Sequence, residues 1–156
     1  MRVRLARPAD EAKVLTLANR LNNEVLPAWR DPAAMPTMDN AVALFFNPPS
    51  ADYVLMVCVD DSDSPIGFTQ AIMDKDFFTG EPQGHILFLV TDDAHEGRGV
   101  ARSIVEAVGD WGRDRGATSL LLYVFATNER ARIAYQWFGF QEDMLKMVKP
   151  LGYAGA

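Results

Sequence analysis

Residues 84–101 constrain the fold more than any other stretch. They read Gly84-His85-Ile86-Leu87-Phe88-Leu89-Val90-Thr91, then a polar turn from Asp92 to Glu96, then Gly97-Arg98-Gly99-Val100-Ala101. An apolar run, a tight turn and the onset of a helical pattern follow in that order, which predicts a strand, a loop and a helix start. The two glycines let backbone N–H groups turn toward a common point with no side chain in the way. The helix behind them adds four unpaired N–H groups and the positive end of its dipole. A phosphate-bearing ligand suits such a place.

The chain of 156 residues is one domain's worth, and the expectation is a single domain over 1–156 that buries a core without disulfide or metal. A formal charge of −6 argues against a nucleic-acid partner, because phosphate contacts need clustered Lys and Arg. The same charge suits a cationic small molecule, and solubility explains it equally well. Cys58 is the only cysteine, and its setting between Val57 and Val59 reads as a buried packing thiol. No basic-then-apolar leader opens the sequence and no apolar run is long enough for a bilayer, so the expectation is a cytoplasmic protein with no membrane partner. His85 and His95 offer no metal-ligand spacing, and no metal is expected.

Read in order, Val3 and Leu5 alternate with arginines as a short strand, and a helix follows from Pro8 and Asp10 to about 22. The proline-rich segment 24–36 reads as loop, and 37–46 as a second, shorter helix stopped by Asn47-Pro48-Pro49. Strands are predicted over 53–59, 66–73, 86–91, 119–125 and 144–149. Helices follow Gly99 and Asn128, the first stopped by Gly116 and the second by Gly139. The strands flanking the helix after Gly99 must be parallel. The predicted class is α/β, a mixed and mostly antiparallel sheet with a central parallel β-α-β unit and helices on both faces.

Gly97-x-Gly99 fits only the first half of the dinucleotide fingerprint, since Arg102 stands where its third glycine belongs. The unit also sits late in the chain, after antiparallel strands, and no Gly-Lys-Ser/Thr of a Walker loop follows. Instead Glu96-Gly97-Arg98-Gly99-Val100-Ala101 resembles the acyl-CoA pyrophosphate loop of the GCN5-related N-acetyltransferases, written Gln/Arg-x-x-Gly-x-Gly/Ala. Asn128-x-x-Ala131-x-x-x-Tyr135-x-x-x-Gly139-Phe140 is similar to that family's second signature, Pro65-Ile66-Gly67-Phe68 resembles its third strand, and the strand order matches. The resemblance spans about Arg2 to Val148. One departure stands out: Glu96 occupies the place of Gln or Arg. A carboxylate aimed at a diphosphate would repel it, so Glu96 is expected to turn to solvent, with Arg98 and Arg102 supplying favourable charge.

The resemblance implies an acetyl-CoA-dependent N-acetyltransferase, with the diphosphate on the amides of Gly97, Arg98, Gly99, Val100, Ala101 and Arg102. The pantetheine arm would run between the two parallel strands, and an amide among Leu89, Val90 and Thr91 would polarise the thioester carbonyl. Asn128 and Ala131 carry the second signature, and Tyr135 is the expected acid for the leaving thiolate. His85 opens the central strand and has the pKa range of a general base. Relatives wall the acceptor pocket with the loop holding Glu24, Trp29 and Asp31. The opposite wall would hold Phe77 and Phe78, beside Asp74, Asp76 and Glu81. Aromatic and acidic groups on both sides suit a small cationic amine as acceptor. A protein or peptide N-acetyltransferase and a non-catalytic acyl-CoA-sensing module are the alternatives. Relatives are often dimers, which makes a homodimer an expectation too.

Overall fold

The computed structural model describes residues 1–23, 26–31, 33, 42 and 46–151. Contacts divide the chain into two compact units, one of Met1–Glu24 with Pro36–Tyr123 and one of Val25–Met35 with Val124–Ala156. The larger unit holds a five-stranded sheet in the order β1 (Arg2–Leu5), β2 (Tyr53–Val59), β3 (Pro65–Lys75), β4 (Pro82–Thr91), β5 (Ser119–Leu122). The first three pairings are antiparallel and β4–β5 is parallel, the mixed sheet that the pattern predicted. Helix α1 (Glu11–Ala18) follows β1, and α2 (Val100–Arg113) connects β4 to β5.

Residue alternation along the strands assigns the two faces. Leu55, Val57 and Val59 of β2, Phe68 of β3 and Val90 of β4 form one core with Val14, Leu17 and Ala18 of α1. Each Val, Leu and Phe side chain among them contributes about 1.5–3 kcal/mol on burial. Gly67, next to Phe68 and therefore on the opposite face, lies beneath α2. A Cβ built there would meet Val100 Cγ1 at 2.7 Å and the Val90 carbonyl oxygen at 2.8 Å. Glycine is what lets α2 sit this close to β3. Gly84 instead makes room for its partner on β5, since a Cβ there would fall 2.5 Å from Leu120 Cδ2. Cys58 is fully buried, and desolvation pushes its thiol up, as expected of a packing residue.

An ion cluster ties β1 to the β2–β3 turn. Arg4 donates to both carboxylate oxygens of Asp10, at 2.7 and 3.0 Å, and to Asp63 at 3.1 Å. The Asp10 carboxylate also accepts from the Arg7 amide at 2.7 Å. Arg2 and Arg7 close on Asp63 from outside. The Arg4 guanidinium holds the Asp10 carboxyl below the usual carboxylate range, against its burial.

Three expectations change. The strand predicted over 119–125 ends at Leu122, because β4 stops pairing with it there. The strand predicted over 144–149 does not form, and these residues belong to no helix or strand among the described residues. Its apolar residues come as Met144-Leu145 and Met147-Val148, with no alternation to mark a buried face. Most of the helix expected over 37–46 lies outside the described residues.

Gly67→Ala should destabilise the protein by about 1–3 kcal/mol, because the added methyl meets a backbone carbonyl that cannot yield. Urea unfolding measures it. The Asp10 carboxyl has a folded-state pKa below its unfolded value of about 3.9, so its contribution is present above that pH and is lost as pH falls through the folded value. Arg4→Met should therefore cost most stability near neutrality, and its gap from wild type should narrow in acid unfolding series.

Candidate active site

The β4–β5 ladder runs only from Gln83↔Ser119 to Ile86↔Leu122, while β4 continues to Thr91. The break coincides with a β-bulge. Gln70 pairs with Phe88 and Ala71 with Ile86, which leaves Leu87 as the extra residue of β4. Beyond the bulge, the Asp92 amide donates to the Ile66 carbonyl at 2.9 Å. The Thr69 hydroxyl donates to the Phe88 carbonyl at 2.8 Å. Even-numbered residues here thus turn their backbone groups toward β3. By the alternation of an antiparallel pair, the N–H and C=O groups of Leu89 and Thr91 turn the other way, toward the side where β5 has ended. Of the three residues singled out in the sequence, Leu89 and Thr91 offer amides there, and Val90 offers a buried side chain to the α1 core.

The chain then turns through Asp93–His95, with the His95 ring nitrogen 2.9 Å from an Asp92 oxygen. Gly97 and Gly99 follow at φ 72° and 83°, and Gly99 is the N-cap of α2. A Cβ at either would meet nothing within 4 Å, so backbone conformation, not crowding, calls for glycine. The first backbone bond of α2 runs from the Ser103 amide to the Gly99 carbonyl at 3.0 Å. The amides of Val100, Ala101 and Arg102 consequently have no partner within the helix. Val100 buries its side chain against β3, whereas Arg98 and Arg102 are exposed. Arg102 pairs along the helix with Glu106 at 3.1 Å.

Glu96 does not turn to solvent. Its carboxylate accepts from Arg20 at 2.7 Å, and the same guanidinium nitrogen lies 2.5 Å from Asp93. Arg20 stands on the 3-10 turn Asn19–Asn23 that continues α1. Glu96 is 28% exposed and Arg20 29%, so the pair is half-buried. Nothing in the sequence singles out Arg20, a polar residue at a helix end far from the loop.

His85 faces Ile72 across the β3–β4 ladder, which puts it on the α1 face. Its ring meets Tyr123 edge-on at 5.2 Å, and its Nδ1 lies 3.8 Å from Asp74. Burial pushes the His85 pKa below the ordinary value, and Asp74 opposes that only in part. Phe77 and Phe78 form an edge-to-face pair, 5.2 Å apart, at the exposed tip of the β3–β4 hairpin. Asp76 is occupied in that turn, accepting from the Phe78 and Thr79 amides and the Thr79 hydroxyl. Among the described residues no group of His, Cys, Asp and Glu is placed to hold a metal ion. No helix among them is long and apolar enough to cross a membrane.

In the smaller unit, α3 (Glu129–Trp137) is capped by Asn128, whose side chain accepts from the Ala131 amide at 3.1 Å. This joins the two residues of the second signature. Tyr135 is half-buried, its ring 6.0 Å from that of Phe140 and 6.4 Å from that of Phe138. Trp29 carries the Arg30 guanidinium 4.5 Å over its ring, and Phe125 lies 5.5 Å from the same group. Asp31 accepts from the Ala33 amide at 2.9 Å, a local turn contact. Glu24 lies outside the described residues.

The family model described as the Acetyltransferase (GNAT) family matches residues 18–140. The chain belongs to that family. A mycothiol acetyltransferase of Propionibacterium freudenreichii subsp. shermanii is 33% identical over 87 residues, 55% of this chain and 27% of that protein. The chain thus spans well under half the length of this curated relative. A mutant of the BH1408 protein from Bacillus halodurans superposes with a TM-score of 0.77 at 18% identity, over 97% of this chain and 99% of that one. The aminoglycoside N-acetyltransferase AAC(6')-Iy, in complex with CoA, gives 0.74 at 17% identity, over 96% and 94% of the two chains. These last two likenesses establish the fold.

His85 should titrate below the ordinary histidine value of about 6.5. Asp74→Asn removes the group that holds it up and should lower it further. Histidine proton resonances followed against pH give both readings.

Proposed function

We propose that this protein is an N-acetyltransferase that uses acetyl-CoA and a small-molecule primary amine. One observation carries the reading: among the described residues β4 has no strand partner for the Leu89 and Thr91 amides on its β5 side, and it runs into a glycine turn where α2 presents three more. The fit to a diphosphate is good. Gly97 and Gly99 leave open space above the backbone, and the carboxylate of Glu96 is neutralised by Arg20. The structural neighbour AAC(6')-Iy binds CoA on the same fold.

Acetyl-CoA supplies an acyl group already activated as a thioester. The residues of this chain bind, orient and move protons. The amides of Gly97, Arg98, Gly99, Val100, Ala101 and Arg102 hold the diphosphate by hydrogen bonds and helix dipole. The Leu89 and Thr91 backbone groups hold the pantetheine arm as a strand would, and one of the two amides donates to the acyl carbonyl oxygen. Such a donor contributes on the order of 3 kcal/mol to the barrier in acyl transfer. Binding both substrates together makes attack by the amine effectively intramolecular.

An ammonium must lose a proton before it attacks. His85, neutral at pH 7 because burial lowers its pKa, is the base we propose. Tyr135 is the proposed acid. A phenol with a pKa near 10 gives its proton only partly to a thiolate, so a strong hydrogen bond is what it supplies. Glu24, Trp29, Asp31, Phe77 and Phe78 are the proposed acceptor walls, and Asn128 with Ala131 supports the second signature as a helix cap. The acidic character of those walls is weaker than their composition suggests, since Asp31 and Asp76 are engaged in their own turns. A sensing module finds less support than in the sequence, because the carboxylate that spoke for it is paired.

Acetyl-CoA turnover, read as free thiol, should appear with at least one amine in a panel of polyamines, aminosugars, amino acids and N-terminal peptides. Tyr135→Phe should lower kcat about a hundredfold while CoA binding by calorimetry holds. Unchanged turnover removes Tyr135 from the mechanism. CoA binding with no turnover on any amine turns the reading toward a sensor.

A further inference from the structure

A member of this family with a glutamate at the head of its diphosphate loop has an electrostatic problem to solve. A carboxylate held close to a diphosphate in a partly desolvated site repels it. Among the described residues of the larger unit, Arg20 is placed to meet that problem. The Arg20 guanidinium reaches from the end of α1 to Glu96 at 2.7 Å and to Asp93 at 2.5 Å. Glu96 and Arg20 are both more than two-thirds buried, so solvent screens their contact incompletely. Asp93 is 80% exposed and contributes far less.

We propose that Arg20 is a positioning residue for acetyl-CoA, clamping Glu96 and Asp93 so that the glycine loop can accept a diphosphate. The inference rests on the reading of that loop as the diphosphate site. It goes beyond that reading by assigning a required residue outside both signatures. The clamp has two effects. Arg20 cancels the charge nearest the amides of Gly97 and Gly99, and it fixes the carboxylate of residue 96 toward α1. It also joins the strand–loop–helix unit to the helix on the other face of the sheet, so the approach to the loop from 93 to 96 is tied at two points.

Arg20→Met keeps the apolar stem and removes the charge. It should raise the KM for acetyl-CoA and the Kd for CoA about tenfold, which corresponds to roughly 1.4 kcal/mol. The KM for acetyl-pantetheine, a thioester with no diphosphate, should stay within about twofold of wild type, since only the diphosphate meets the freed carboxylate. Adding Glu96→Gln to Arg20→Met should restore most of the CoA affinity, because the charge that Arg20 no longer counters is then gone. Arg20→Lys keeps the positive charge on a differently shaped, more strongly hydrated head and should fall between. It serves as the second variant if Arg20→Met fails to fold by thermal melting. Equal losses with both thioesters would make Arg20 merely structural. No rescue by Glu96→Gln would also overturn the clamp, and so would unchanged CoA affinity in Arg20→Met. Wild-type protein that binds no CoA at all would sink the reading of the loop itself, and the clamp with it.

Discussion

Past Ile86, the edge of β4 facing β5 carries backbone donors and acceptors that no strand among the described residues takes up. Two features create this. The extra residue at Leu87 shifts the register of β4, and β5 ends at Leu122. An unmatched stretch of sheet edge is costly when dry, so it must meet water or another molecule with amide-like groups. The position of the glycine turn follows from it. The same strand runs without interruption into the glycine turn, so the direction of the open edge and the approach to α2 are set by one continuous piece of backbone.

The other fixed point is the start of α2. Val100, the first helical residue, is buried over Gly67, and Leu120 packs over Gly84 further along. The absent side chain at Gly67 lets the helix lie close against the sheet, with its first turn next to the end of β4, and the one at Gly84 leaves room for Leu120 of β5. Rigid support of this kind matters because a donor displaced by even 1 Å loses much of its electrostatic value. The loop between is held as well, from α1 by Arg20 and internally by the contact of His95 with Asp92.

Much of this was legible in the sequence, for identifiable reasons. The run 53–59 is apolar throughout and was read as a strand to the residue. Gly97, Gly99, Gly116 and Gly139 were read as turn or cap residues, and all four take positive φ. Asn128 was read as a cap and accepts the bond a cap should. The misreadings share a cause, which is that each depends on a partner distant in sequence. Whether 119–125 continues as a strand is decided by a bulge on β4, which leaves no periodic signal at Leu87. Whether 144–149 pairs depends on a neighbouring edge. Glu96 was expected to avoid a diphosphate by facing water, because the arginine that answers it lies 76 residues away. Of the candidate site, the strand end and the glycine loop could be read directly, and the acceptor walls could not. Their charged residues are the kind that turns use for their own hydrogen bonds, as Asp31 and Asp76 do.

The ion cluster around Arg4 bears on how the molecule behaves in company. β1 is the border of the sheet, and borders are where foreign strands attach themselves. Here the border is only four residues long and alternates with arginines that are tied into Asp10 and Asp63. A second chain docking there would find little length to zip along and would bring its backbone up against fixed positive charge. That flank of the sheet is thereby guarded against strand-by-strand growth into fibres, a protection independent of the glycine turn at the far end of β4.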